Sequence, residues 1–183
     1  MIPTRQQCLE LIQRYEMLPH IFRHSQLVTD VALLIARELN SVGEQLDLAL
    51  VEAGALLHDI TKTMSIQTRE NHAKTGSEVL ASLGYVAVAN IVRQHICLDS
   101  GSSDPDAVTE AELVNYADKR VKHEGVVNIE DRFQDVLERY VTKFPDLQDR
   151  FEQVQLETQL LEQKIFSKID ISPEQIIDIL SNE

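Results

Sequence analysis

The sequence predicts an all-α protein. Apolar residues recur at helical spacing in almost every segment, and no segment sustains the apolar–polar alternation that is typical of a half-buried strand. The chain has 183 residues, of which 43% are hydrophobic and 26% are charged, an ordinary balance for a globular protein and too apolar for disorder. This length is ample for one hydrophobic core. We therefore expect one helical domain, or one domain with a helical appendage.

The first part of the chain predicts three helices. A first helix is indicated over roughly residues 4–17, and Pro19 opens a second that breaks off near Gly43. The third, from Leu46 to His58, is apolar nearly all round. A helix of that kind is normally buried on most of its sides.

Two more helices precede a long loop. The fourth is predicted from about residue 67 to residue 82 and stops at Gly84, and the fifth covers about residues 86–97. The stretch 98–107 is rich in glycine, serine, aspartate and proline, so it is the clearest loop of the sequence. We expect this loop to border the functional site.

The remaining elements are helical as well. A capping box at Thr109 starts the sixth helix, which we expect to reach about residue 123. A seventh covers about residues 130–143, Pro145 starts a long eighth, and Ser172 caps a last short one. We expect residues 126–183 to form a helical extension that is packed on the core or lies at a dimer interface.

The long eighth helix has two readings. Between Leu147 and Lys168 a 4-3 heptad spacing relates its mostly apolar positions, with charged residues and glutamine elsewhere. This spacing fits the seam of a coiled coil, and therefore a possible homodimer. It fits equally well a helix that packs on the protein's own body.

Charge and cysteine content exclude several classes of function. The net charge of −13 argues against nucleic acid as the main partner, whereas a small phosphorylated substrate needs only a few local cations. Two isolated cysteines cannot form a thiolate zinc site. No secretory leader or membrane span is recognisable, so we expect a cytoplasmic protein with no membrane partner.

Six polar residues interrupt the apolar stripes of the predicted helices. A single histidine on such a stripe is more often a hydrogen-bonded core residue than a ligand. As a set they favour a site for one shared cation, because an ionised carboxylate in an apolar core costs much free energy unless an opposite charge lies beside it. Imidazole and carboxylate ligands suit Fe, Mn, Zn, Co or Ni. The six are His24, His58, Asp59, His72, His95 and Asp118.

The string ALLHDITK at residues 55–62 resembles the hallmark of the HD-domain superfamily of metal-dependent phosphohydrolases, of the HDIG type. An earlier helical His24 and a later Asp118 stand in the family's order, and the resemblance covers roughly residues 18–123. The chain is similar to small stand-alone bacterial members. The resemblance implies an HD-domain helical bundle over residues 1–125 with additional C-terminal helices.

The resemblance also implies a ligand set. His24, His58, Asp59 and Asp118 correspond to the ligands of one metal ion. Two-metal members add two histidines, whose places His72 and His95 occupy here, and Asp59 would then bridge both ions. The expected cofactor is a divalent transition metal (Fe, Mn, Co, Ni or Zn), with at least one ion and, by the two-metal pattern, two.

By the same resemblance we expect a phosphohydrolase that uses a metal-activated water on a phosphoester or phosphoanhydride of a nucleotide or other small phosphorylated metabolite. Asp59 and Lys62 are the candidate catalytic residues. The alternative is an HD-fold binding or regulatory module with little turnover. Thr61 departs from the family string, which has glycine there. Candidates for binding substrate phosphate are Lys62, Arg93, Lys119 and Arg120.

Overall fold

The structure is a computed structural model that describes residues 1–99, 106–142 and 145–181. Their regular secondary structure is helical apart from one two-stranded hairpin, which confirms the all-α prediction. The helices are α1 (Arg5–Arg14), α2 (Pro19–Ser41), α3 (Leu48–Leu57), α4 (Lys62–Thr68), α5 (His72–Ser82), α6 (Val86–Gln94), α7 (Glu110–Lys119), α8 (Ile129–Val136), α9 (Gln148–Phe166) and α10 (Gln175–Ser181).

Capping residues set several helix starts. The Thr4 hydroxyl accepts the Gln7 backbone N–H in a capping box, and Pro19 occupies the first turn of α2. The predicted third helix begins two residues later than expected, because the Asp47 carboxylate accepts the N–H groups of Ala49 and Leu50 and so acts as the cap.

The predicted fourth helix is wrong in its extent, since this part of the chain forms two helices. After α4, Arg69 takes a left-handed backbone conformation with φ 61°. Asn71 then caps α5 by accepting the N–H groups of Ala73 and Lys74. The break places His72 on the first turn of α5, where its ring turns inward.

The predicted sixth helix is too long at its C-terminal end. Helix α7 ends at Lys119, and the chain enters a two-stranded antiparallel hairpin, β1 (Val121–Lys122) and β2 (Gly125–Val126). His123 in its turn has a φ of 56°. Such a short hairpin leaves no alternation for a sequence pattern to reveal.

The C-terminal part differs from the predicted helices in detail. A five-residue π-helical turn (Leu137–Val141) follows α8, and a short 3₁₀ turn (Pro145–Leu147) precedes α9. Residue 143, the predicted end of the seventh helix, lies outside the described residues. So do residues 100–105, which make up most of the predicted loop.

Two apolar clusters form the core. The first joins α2, α3 and α7 to the C-terminal helices, because Val28 and Ile35 share it with Ile165 and Ile176. The second joins α1, α3, α5 and α6. Helix α3 contributes to both clusters, as its apolar circumference predicts. None of the described helices combines the length and apolar character needed to cross a bilayer.

Candidate metal centre

The six predicted ligands meet where several helices end. Helix α2 packs on α3 and α7, while α6 packs on α3, α5 and α7. The chain leaves α3, α6 and α7 at this centre, α5 begins there, and α2 contributes from its second turn. The six side chains are His24, His58, Asp59, His72, His95 and Asp118.

The first group of three consists of His24, His58 and Asp118, whose ligand atoms lie within 4.8 Å of one another. Oδ1 of Asp118 is 3.0 Å from Nε2 of His24 and 3.6 Å from Nε2 of His58. Two imidazole nitrogens and a carboxylate oxygen at this spacing form a set that could hold a divalent transition metal ion.

The second group consists of Asp59, His72 and His95, also within 4.8 Å. Oδ1 of Asp59 is 3.2 Å from Nε2 of His72 and 3.6 Å from Nε2 of His95. The other oxygen of the same carboxylate, Oδ2, is 3.3 Å from Nε2 of His58 in the first group. Asp59 therefore offers one oxygen to each group.

Backbone carbonyls orient two of the histidines. Nδ1 of His58 is 2.7 Å from the carbonyl oxygen of Ala55, and Nδ1 of His95 is 2.7 Å from that of Val92. A carbonyl can only accept, so each Nδ1 carries the proton. Each Nε2 is then left with a lone pair that points into the centre, as a metal ligand requires.

Two buried atoms at the centre have no hydrogen-bond partner among the described residues. They are Nε2 of His58 and Oδ1 of Asp59. Leaving such an atom unsatisfied costs about 1–3 kcal/mol. A cation between the two groups would satisfy both, so the residues present fit a metal ion.

Burial and neighbouring charges shift the pKa values of four residues of the centre. Burial raises the pKa of Asp59, but the neighbouring His58 and Lys62 outweigh it and hold that pKa well below its usual range. Burial likewise raises the pKa of Asp118, and His24 and His58 outweigh it, so the net shift is well downward. Burial lowers the pKa of His95, which favours its neutral, ligating form. Burial also lowers the pKa of His58, but the neighbouring Asp59 more than offsets this, so the net shift of the His58 pKa is upward.

Two of the four predicted phosphate-binding cations lie at the centre. Nζ of Lys62 is 2.7 Å from Oδ2 of Asp59, and its side chain is 39% exposed. Lys119 is buried, which lowers its pKa to about 8, and its Nζ donates to the carbonyl oxygen of His95. It also donates to Oδ1 of Asn115.

The structure does not bring Arg93 or Arg120 to the centre, contrary to expectation. Arg93 pairs on the surface with Asp99. The Arg120 side chain is fully buried and donates to the Tyr116 hydroxyl and to the carbonyl oxygens of Val127 and Pro173. Each of its three nitrogens thus donates a hydrogen bond within the protein, and two of these bonds hold the C-terminal part of the chain.

Asn115 is a positioning residue that the sequence did not single out. Its Nδ2 donates to the carbonyl oxygens of Gln94 and His95 at 2.8 and 3.0 Å. These bonds tie α7 to the end of α6 and so fix the backbone that carries His95. The sequence could have indicated this residue, because it is polar and lies on the buried face of α7.

A cavity of about 700 Å³ adjoins the centre. His72, His95 and Asp118 line it together with residues of α8 and α9. Three of its basic residues were not predicted, because they come from separate elements of the chain. The basic side chains around the cavity are Lys62, Arg69, Lys119, Arg132 and Arg150.

The chain matches the model of the HD domain family over residues 21–134. It is also 32% identical over 145 residues to a tRNA (cytidine(56)-2′-O)-methyltransferase of Thermoplasma volcanium. A protein of the same name from Picrophilus torridus is 29% identical over 157 residues. These matches cover 69% and 78% of this chain but only 41% and 42% of the relatives. No solved structure matches the chain.

The names of these relatives correct two expectations. They describe an RNA methylation, so the prediction of a phosphohydrolase acting on a small phosphorylated metabolite is wrong. The prediction that nucleic acid is not the main partner is wrong for the same reason. Net charge is summed over the whole chain, so it does not show that five basic side chains line one cavity.

The assignment to a family does not depend on the two expectations that proved wrong. The matched residues make up more than half of the chain and contain all six side chains of the centre. The same stretch holds the histidine–aspartate pair and the two flanking ligand positions in the predicted order. This chain belongs to the HD domain family.

Proposed function

We propose that this chain is a metal-binding enzyme domain that acts on tRNA, in the 2′-O-methylation for which its relatives are named. The carrying observation is a centre of six histidine and aspartate side chains that opens into a cationic cavity. Family membership and the relatives' names support an enzymatic role. The chain spans less than half of the length of those relatives. We therefore assign to it only the metal centre and the binding of RNA beside that centre.

The proposed cofactor is two divalent transition metal ions. His24, His58 and Asp118 would hold one, while His72 and His95 would hold the other, with Asp59 between them. Such ions supply Lewis-acid charge to an oxygen atom of a bound substrate. Lys62 keeps Asp59 ionised and presents a half-exposed ammonium group to the same cavity.

An acidic chain can still bind RNA if contact is local. The net charge of −13 repels the body of a tRNA, whereas the cavity wall carries five basic residues. Contact is therefore confined to one or a few nucleotides that enter the cavity. With about three phosphates neutralised, the logarithm of the binding constant should fall with the logarithm of salt at a slope of about −2.

Filter binding of a tRNA transcript with cytidine at position 56 tests this function. We expect the metal-loaded chain to bind the transcript at least tenfold more tightly than the chain after chelation. Asp59→Ala should behave like the chelated chain. Asp170→Asn, which removes an exposed carboxylate on the surface, is the control and should bind normally.

A parallel assay follows methyl transfer from S-adenosylmethionine to the ribose of that cytidine, with the chain alone and in cell extract depleted of it. Depletion should lower methylation, and adding back the metal-loaded chain should restore it. A folded, metal-loaded chain that neither binds the transcript nor restores methylation would refute the proposal.

A further inference from the structure

The C-terminal helices supply part of the cavity lining. Arg132 and Phe133 of α8 line it together with Phe151 and Val154 of α9. The same cavity is lined by His72, His95 and Asp118. The C-terminal helices therefore bring a cation and an apolar surface to the cavity that these metal ligands line.

The charge of Arg132 is poorly neutralised. Its Nη1 is 3.6 Å from Oδ2 of Asp135, and the same carboxylate pairs with Arg139 and lies 3.6 Å from Nζ of Lys122. Three cations thus share one carboxylate. In addition, Nε of Arg132 is buried and has no hydrogen-bond partner among the described residues. A buried guanidinium N–H in this state is costly unless a ligand accepts a hydrogen bond from it.

Arg132 lines the same cavity as Asp118. The side chain is 19% exposed, so it remains reachable from the cavity. An anion bound beside Arg132 would therefore lie in the cavity that Asp118 also lines.

The neighbouring surface suits a flat apolar group. The rings of Phe133 and Phe151 meet edge to face with centroids 5.5 Å apart. Val136, Val141 and Val154 extend the apolar lining of the cavity. A nucleotide has the matching halves, since its phosphate is anionic and its base can lie against aromatic side chains.

We propose that Arg132 forms a phosphate subsite, separate from the metal centre, that holds one phosphodiester of a bound RNA strand while the attached base lies against the Phe133–Phe151 wall. The identity of the ligand as RNA rests on the proposed function. In this arrangement the C-terminal helices take part in ligand binding in addition to the metal centre.

Binding of a single-stranded RNA pentamer to the metal-loaded chain, measured over a range of salt concentrations, tests this subsite. We expect Arg132→Gln to weaken binding about tenfold and to reduce the salt slope by about 0.7, the change for one lost phosphate contact on a single strand. Arg5→Gln is the matched control, because Arg5 pairs with Glu52 on the surface and does not line the cavity. It should change neither quantity.

Arg132→Lys retains the positive charge. It therefore distinguishes the loss of a phosphate contact from a folding defect in Arg132→Gln. It should keep the wild-type salt slope with a smaller loss of affinity. Wild-type affinity and slope in Arg132→Gln would overturn the subsite, even if the chain binds tRNA. Conversely, an Arg132-dependent slope with no preference for the tRNA transcript over unrelated RNA would sustain the subsite and overturn the proposed function.

Discussion

At the residue scale, the ligands of the centre differ in how many ions they can reach. Asp59 directs one oxygen at each group, whereas His72 approaches the Asp59–His95 group. Substitution should therefore have different effects on metal content at these two positions. This difference separates a two-ion centre from a single-ion centre.

Metal content of natively purified variants, measured by mass spectrometry, tests the two-ion arrangement. Asp59→Ala should lose both ions, because the shared carboxylate is removed, and His72→Ala should lose one. His20→Ala, at an exposed position at the start of α2, should keep both. Equal metal content in Asp59→Ala and His72→Ala would contradict a bridging carboxylate.

The two cysteines occupy different environments. Cys8 is fully buried, and its burial, aided by the charge of Glu52, raises its pKa to about 12. Cys97 is half-buried at the cavity, where its sulfur lies 3.2 Å from Nη2 of Arg150. A thiolate is the reactive form, so only a thiol that ionises and meets solvent reacts with reagents.

We expect one reactive thiol per native chain with a disulfide reagent at pH 8, and two after unfolding in denaturant. Cys97→Ser should leave the native chain unreactive, whereas Cys8→Ser should leave one reactive thiol. Rapid reaction of native Cys97→Ser would show that Cys8 is accessible after all.

At the element scale, close contact of α3 with α6 depends on glycine. A Cβ atom added at Gly54 would lie 2.8 Å from Cγ2 and 3.0 Å from Cδ1 of Ile91, which is itself buried. Alanine favours a helix over glycine by about 1 kcal/mol, but overpacking a core costs about 1–3 kcal/mol. The steric effect should win because Ile91 has little room to move.

Urea unfolding should show Gly54→Ala to be less stable than the wild type by about 1 kcal/mol. Gly125→Ala is the control, since an added Cβ there would meet nothing closer than the Lys122 carbonyl oxygen at 3.8 Å. It should change the free energy of unfolding by less than about 0.5 kcal/mol. Stabilisation by Gly54→Ala would mean that α3 and α6 can separate at little cost.

At the scale of the whole molecule, the C-terminal helices share the apolar core of the first seven. Ile165 of α9 is fully buried in the cluster that contains Val28 of α2. The buried Arg120 adds polar links from the end of α7 to Val127 and Pro173. These contacts favour unfolding of both parts in one transition.

We expect Ile165→Ala to lower the free energy of unfolding by about 2–5 kcal/mol, with a single transition for the whole chain. Leu156→Ala on the same helix is the control, because Leu156 is 57% exposed, and it should have little effect. Helical content measured by circular dichroism against urea checks both. Two separate transitions in the wild type would contradict a shared core, and would support the division at residue 125 that stays a prediction.

The amino-acid sequence was sufficient to predict the all-α class, the family and the group of six polar residues on apolar helix faces. These features are local. Helical spacing fixes which residues share a face. A histidine or aspartate on a buried face is conspicuous because burying a polar side chain costs free energy unless it has a partner. The sequence missed the break between α4 and α5, because a cap and a left-handed residue end a helix without disturbing its apolar pattern.

The packing of the helices, by contrast, determines which cations lie at the cavity beside the centre. Arg120 follows Asp118 closely in sequence yet binds the C-terminal part of the chain, whereas Arg132 and Arg150 come from α8 and α9 to the cavity. A long charged side chain can reach in several directions, so its partner depends on which element packs beside it. That packing brings together residues distant in sequence, and it concentrates positive charge in one cavity of an acidic protein.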